Sequence, residues 1–151
     1  MLLLVFHVAG APYAVEATRV VEVVPRLDLR PLPHAPEGLA GLLRYRRQMV
    51  PVIDLGIVLA GTPSPRLLST RIDLVDDQSP ARSLPVLGLI AEEVQDLRNV
   101  ADDQVVSPPT MFGQNPYLGP IISTEDGLIP LIAVERVLAE PLRRCLAEAL
   151  P

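Results

Sequence analysis

The sequence predicts a mainly β chain folded as two related lobes, each a small five-stranded barrel accompanied by short helices. Three observations carry that expectation. Seventeen prolines and nine glycines cut the 151 residues into short apolar runs, which is the punctuation of strands and turns. Hydrophobic residues make up 49% of the chain and aromatics only 3%, with no Trp, so the core is built from Leu, Val, Ile and Ala. Lastly, the second half repeats the plan of the first.

The elements read as follows. "LLLVFHVAG" (Leu2–Gly10) is a strand ending in a turn at Ala11-Pro12. "YAVEATRVVEVV" starts as a strand at Tyr13. Ala17, Val20, Val21 and Val24 then fall at helical spacing, which predicts a short helical turn. "PRLDLRPLPHAPEG" is a proline-rich loop. "LAGLLRYRRQMVPVIDL" reads as two strands joined at Arg44, Arg46 and Arg47, and "DLGIVLAG" as a short helix. Asp54 is its candidate N-cap and Gly61 its stop. "TPSPRLLST" is the linker candidate. "PLRRCLAEAL", with Leu142, Cys145, Leu146 and Ala149 at helical spacing, predicts a C-terminal helix over about 141–150.

The repeat appears when "GLLRYRRQMVPVIDLGIVLAG" is laid on "GPIISTEDGLIPLIAVERVLAE". A slide of 79 positions (Pro51 onto Pro130) puts Met49–Ile53 on Leu128–Ile132 and Val58, Leu59 and Ala60 on Val137, Leu138 and Ala139. Upstream, a slide of 74 (Val15 onto Leu89) puts Val20, Glu22 and Val23 on Val94, Asp96 and Leu97. A proline between paired aliphatics in both copies marks a genuine repeat. The expected organisation is one domain over 1–151. Lobe one covers about 1–64 and lobe two about 65–140, with a groove between them suited to binding. Strand exchange between the lobes is left open.

Charge and motifs exclude several functions. The net charge is −5, and all 13 basic residues are Arg. An acidic, aromatic-poor chain does not suit nucleic acid. The apolar opening lacks a basic leader and is too short to span a bilayer, so no membrane insertion is expected. Cys145 stands alone, so neither an internal disulfide nor a thiolate metal cluster can form, and it reads as a packing residue. His7 and His34 show no ligand spacing. Nucleophile-elbow, phosphate-loop, dinucleotide and calcium-loop motifs are absent from the sequence. The pairs Asp76-Asp77, Glu92-Glu93 and Asp102-Asp103 read as solvated turns or helix ends. The expectation is therefore no catalytic residue, no metal and no cofactor. The alternative from another class is a small β-barrel enzyme using Asp54, and burial of that carboxylate as a cap would decide against it. Arg44, Arg46 and Arg47 either keep a hairpin tip soluble or pair with carboxylates on a partner protein.

"LVFHVAGAPYAVEATRVVEVV", the proline-rich loop and "GLLRYRRQMVPVIDLGIVLAG", followed by "LPVLGLIAEEVQDLRNV" and "YLGPIISTEDGLIPLIAVERVL", resemble the CheW-like domain of bacterial chemotaxis coupling proteins. The resemblance runs from Leu3 to about Leu138 and is most specific over Gly41–Leu55. It implies two five-stranded SH3-like barrels and a cytoplasmic, non-enzymatic adaptor recruited to membrane-bound receptor arrays. Such adaptors bridge the tips of methyl-accepting chemoreceptors to a CheA-type histidine kinase, and pack beside other CheW-like proteins. By the resemblance, the receptor-contacting arginine falls on Arg46, its acidic partner on Glu22 and the flanking apolar positions on Val20 and Val23. Arg44 and Arg47 complete the candidate partner-binding set. Two departures stand out. Arg44-Tyr45-Arg46-Arg47 replaces the family's Asn-Leu-Arg-Gly, placing an arginine where a turn wants positive φ. Gly56 stands where an arginine commonly follows the aspartate-leucine pair. These departures suggest a diverged paralogue, with a docking module in a surface-sensing or pilus pathway as the alternative assignment.

Overall fold

The computed structural model describes residues 1–25, 29–64, 71–76, 86–92, 97–106 and 118–137. The C-terminal helix expected over 141–150, Cys145 and most of the "TPSPRLLST" linker lie outside these residues. The first hairpin joins β1 (Leu2–Val8) to β2 (Ala11–Glu16). Their connection is the two-residue turn Ala9-Gly10, both with positive φ, so the expected turn at Ala11-Pro12 moves two residues upstream. The helical reading of Ala17–Val24 shrinks to one 3₁₀ turn, Ala17–Arg19. Val20, Val21 and Val24 instead belong to β3 (Val20–Pro25), where β-branched residues are at ease. β4 (Leu39–Tyr45), β5 (Gln48–Asp54) and α1 (Leu55–Ala60) follow as expected, with Asp54 as N-cap and Gly61 as the left-handed C-cap.

The second half supplies β6 (Arg71–Asp76), β7 (Val86–Ala91), β8 (Leu97–Asn99), β9 (Val105–Val106), β10 (Leu118–Thr124), β11 (Gly127–Ile132) and α2 (Val134–Val137). Two curled sheets result, in the orders β3-β6-β7-β5-β4 and β8-β1-β2-β11-β10-β9. The fold is mainly β, with two SH3-like lobes.

Among the described residues the repeat holds position for position in the pairing, while Val94, Asp96, Leu138 and Ala139 lie outside them. In the β4–β5 hairpin Leu42 faces Pro51, Leu43 faces Val50 and Tyr45 faces Gln48. In the β10–β11 hairpin Ile121 faces Pro130, Ile122 faces Ile129 and Thr124 faces Gly127. The parallel contacts correspond as well: Val52 on Gly88 in one sheet, Leu131 on Ala14 in the other. So do the edge strands, with Val23 facing Asp73 and Leu97 facing Leu4.

The sheets do not divide the chain at residue 64. The hairpin β1–β2 joins β8–β11, while β6–β7 joins β3–β5. Each half of the chain thus lends its first hairpin to the sheet of the other half. The two sheets are also unequal. The two-residue strand β9 gives the second a sixth member, where the first has, among the described residues, the Arg30–Leu42 bridge. That bridge needs Gly41, because a Cβ there would sit 2.8 Å from the Arg30 carbonyl oxygen.

Among the described residues three cores follow from this weave. Val24, Leu43, Val50, Val52 and Ile90 fill the first barrel. Leu3, Val5, Ala14, Val100, Ile122, Ile129 and Leu131 fill the second. Between them lies a third cluster from both sheets, with Leu4, Phe6, Val8, Ile53, Leu55, Leu87 and Leu89. β1 therefore buries Leu3 and Val5 on one face and Leu4, Phe6 and Val8 on the other. That double burial explains why "LLLVFHV" and "MVPVID" are continuous apolar runs instead of alternating ones. His7, half-buried within β1, bridges backbone to backbone with Glu92 after β7, at 2.9 and 2.8 Å.

Candidate functional site

The arginine tip closes the β4–β5 hairpin. Tyr45 and Gln48 pair, and Arg46 and Arg47 form the two-residue turn with φ of 47° and 67°. Positive φ at both central residues is the hairpin turn whose twist matches the strands, and glycine or asparagine usually fills it. The departure at Arg47 therefore leaves the turn shape intact and places two arginines in the left-handed region, at a cost of about 1–2 kcal/mol each. Arg47→Gly is accordingly expected to raise stability by about 0.5–1 kcal/mol, the relief of strain less the entropy of a freer unfolded chain. A chemical-denaturation midpoint at or below wild type would contradict it.

Arg44, Arg46 and Arg47 are all exposed. Beside them runs β3, whose register slips between Val20 and Glu22, so Val21 has no partner in the pairing with β6. Val21 and Val23 are 45% and 37% exposed, whereas Val20 is half-buried against the central cluster. The slip brings the Glu22 side chain to the hairpin tip. Its Oε2 lies 3.7 Å from Arg46 Nη2 and also accepts the Tyr45 hydroxyl hydrogen bond. The Arg46 guanidinium lies over the Tyr45 ring, 5.1 Å from its centroid. The hydrogen bond to Glu22 holds the Tyr45 phenol above its usual pKa, with desolvation adding to it and the Arg46 cation opposing it.

The structure thus joins Glu22 to Arg46 and sets Val23 and the flanking arginines around them. Val20 lies at the edge of the central core. Sequence reasoning missed Val21 and Tyr45. Val21 was masked by a helical reading of a strand. Tyr45 was legible only as a departure from leucine.

The equivalent tip of the second lobe has the opposite charge. There Glu125 and Asp126 occupy the turn between β10 and β11, and Asp126 pairs with Arg98 of β8 at 3.5 Å. The pseudo-symmetry of the fold is broken at its tips, so the basic tip belongs to one lobe alone.

Asp54, the one carboxylate in a sharp sequence context, is 4% exposed. It accepts hydrogen bonds from Gly56 N–H (2.9 Å), Ser64 N–H (3.1 Å) and the Ser64 hydroxyl (2.7 Å). These uncharged donors hold the start of α1 and the loop beyond it. This is the arrangement expected of a helix cap: among the described residues, both Asp54 oxygens are engaged by the donors of Gly56 and Ser64. Asp102 and Asp103 occupy an exposed 3₁₀ turn, as expected for a solvated pair. A cleft of about 160 Å³ opens elsewhere, lined by Val15, Glu16, Arg19, Gly119 and Ala133 among others. Among the described residues no group of three potential metal ligands gathers, and no helix is long and apolar enough to cross a membrane.

Residues 2–142 match the model of the CheW-like domain. The chain belongs to the CheW-like domain family. It is 24% identical over 140 residues to the chemotaxis protein CheW of Rhizobium meliloti (strain 1021), covering 89% of this chain and 85% of that protein. The crystal structure of the scaffolding protein TtCheW from Thermoanaerobacter tengcongensis superposes with a TM-score of 0.81 at 23% identity, over 91% of this chain and 86% of that one. This CheW-like chain thus shares its fold with TtCheW.

Proposed function

We propose that the chain is a non-enzymatic coupling adaptor, bridging methyl-accepting chemoreceptor tips to a CheA-type histidine kinase at membrane-bound arrays. The observation that carries this reading is the Glu22–Arg46 pair at one barrel's tip, set between exposed Val21 and Val23 and two further arginines. Aliphatic side chains beside a charged pair suit the amphipathic helix of a partner. Burial supplies affinity, and the charges set register and orientation. Membership of the CheW-like family and similarity to a named chemotaxis protein support the same reading.

Arg46→Glu tests the site. The side chain is 76% exposed, so its reversal changes folding little. Binding to a soluble fragment of a receptor signalling tip from the same genome should fall at least tenfold, with the melting temperature within about 2 °C of wild type. Unchanged binding would move the docking surface elsewhere, and a collapse in melting temperature would make Arg46 structural.

A further inference from the structure

Tyr45 stands where the family pattern carries leucine, and it touches both charged members of the docking pair. We propose that Tyr45 is a positioning residue for partner recognition: it clamps Glu22 and Arg46 so that the guanidinium is held ready for a carboxylate on an acidic partner helix. The inference rests on the docking reading above and deepens it.

The geometry argues for a clamp. An exposed arginine–glutamate pair 3.7 Å apart is loose on its own, since two long side chains must be ordered for a screened attraction. Tyr45 supplies the order. Its ring packs against the core of the first barrel, so it is fixed from below. Its hydroxyl occupies Glu22 Oε2, and its face carries the Arg46 guanidinium. The left-handed φ of Arg46 and Arg47 fixes the turn from which the arginine side chains start. Arg46 reaches Glu22 through one nitrogen, so further donors of its planar fork remain available for bidentate contact with a carboxylate. Among the described residues the tip carries three arginines beside one acid, Glu22, a balance that suits an acidic partner surface.

The second lobe is the internal comparison. Thr124 occupies the position equivalent to Tyr45, and its hydroxyl donates back to the Gly127 carbonyl at 2.9 Å. A short side chain there bonds within its own hairpin and closes the turn. The clamp is thus a feature of this tip and not of the hairpin as such.

The test is a double-mutant cycle on binding of the full chain to the soluble receptor-tip fragment, using wild type, Tyr45→Phe, Glu22→Gln and the double variant. Tyr45→Phe keeps the ring beneath Arg46 and removes only the hydroxyl. It should weaken binding about three- to tenfold, the ordinary loss of one hydrogen bond, with the melting temperature unchanged within about 2 °C. In the Glu22→Gln background the same change should cost less than about twofold, because its route through the carboxylate is already gone. Tyr45→Leu, which also removes the ring, should lose more than Tyr45→Phe. Two results overturn the positioning role while leaving the docking site standing: Tyr45→Phe binding like wild type, or losses that simply multiply in the double variant. Failure of folded wild type itself to bind the fragment overturns the docking reading, and the clamp with it.

Discussion

Val52→Asp is expected to abolish cooperative folding. Val52 is fully buried, within the core of the first barrel. Its strand, β5, lies between β4 and β7, with Val52 facing Gly41 on one side and Gly88 on the other. A carboxylate there has aliphatic neighbours, Val24, Leu43, Val50 and Ile90, and no cation to pair with among them. Burying an unpaired charge costs several kcal/mol, enough to exceed the typical stability of a domain of this size when added to lost packing. The loss should exceed about 4 kcal/mol. Because β6 and β7 from the second half complete this sheet, the damage reaches both halves of the chain. The check is a thermal melt followed by circular dichroism. A sharp transition near the wild-type temperature would contradict the placement of β5 at the centre of the sheet.

Gly56→Arg is the second large effect. The family commonly carries arginine at this position, so the substitution looks benign from sequence. The structure says otherwise. A Cβ on Gly56 would sit 2.5 Å from the Thr62 carbonyl oxygen, 2.8 Å from Ser64 Oγ and 2.9 Å from Ser64 N. Two of these are backbone atoms that cannot swing aside. The loop after α1 would have to lift, taking with it the Ser64 hydrogen bonds that satisfy buried Asp54. Overpacking and a half-satisfied buried carboxylate each cost about 1–3 kcal/mol, so a total of about 3 kcal/mol is expected. For a chain of this length that is a fall of roughly 6–12 °C in melting temperature. Gly56→Ala should already show most of the loss, since the clash begins at Cβ, whereas Ser64→Ala should cost only about 1 kcal/mol. A Gly56→Arg variant melting with wild type would mean that Asp54 does not hold Ser64.

Much of this was legible in the residues. The slide that laid Pro51 on Pro130 is the register of two hairpins, and the slide that laid Val15 on Leu89 reproduces the parallel contacts. A hydrophobic pattern with a proline at a fixed place constrains which side chains point inward, and register follows from that. The same pattern is silent on which sheet a hairpin joins. β1 and β7 are apolar on both faces, so either could serve either barrel, and the exchange of first hairpins was invisible. The tip was half legible. Arg46 and Glu22 came through the family resemblance. The Tyr45–Glu22 contact spans 23 positions and depends on a one-residue slip in β3, which no local spacing announces. Asp54 and Gly61 were readable because capping is local chemistry. Gly56 was readable only as a departure, because its reason lies in a loop six to eight residues away.

The most direct measurement of the adaptor function is co-sedimentation of a CheA-type kinase with receptor-bearing membranes from the same genome, with and without this chain, and with the Arg46→Glu variant. The account predicts that wild type carries the kinase into the pellet, and that the variant still binds kinase in solution but leaves it in the supernatant. Kinase recovery unaffected by the wild-type chain would contradict it.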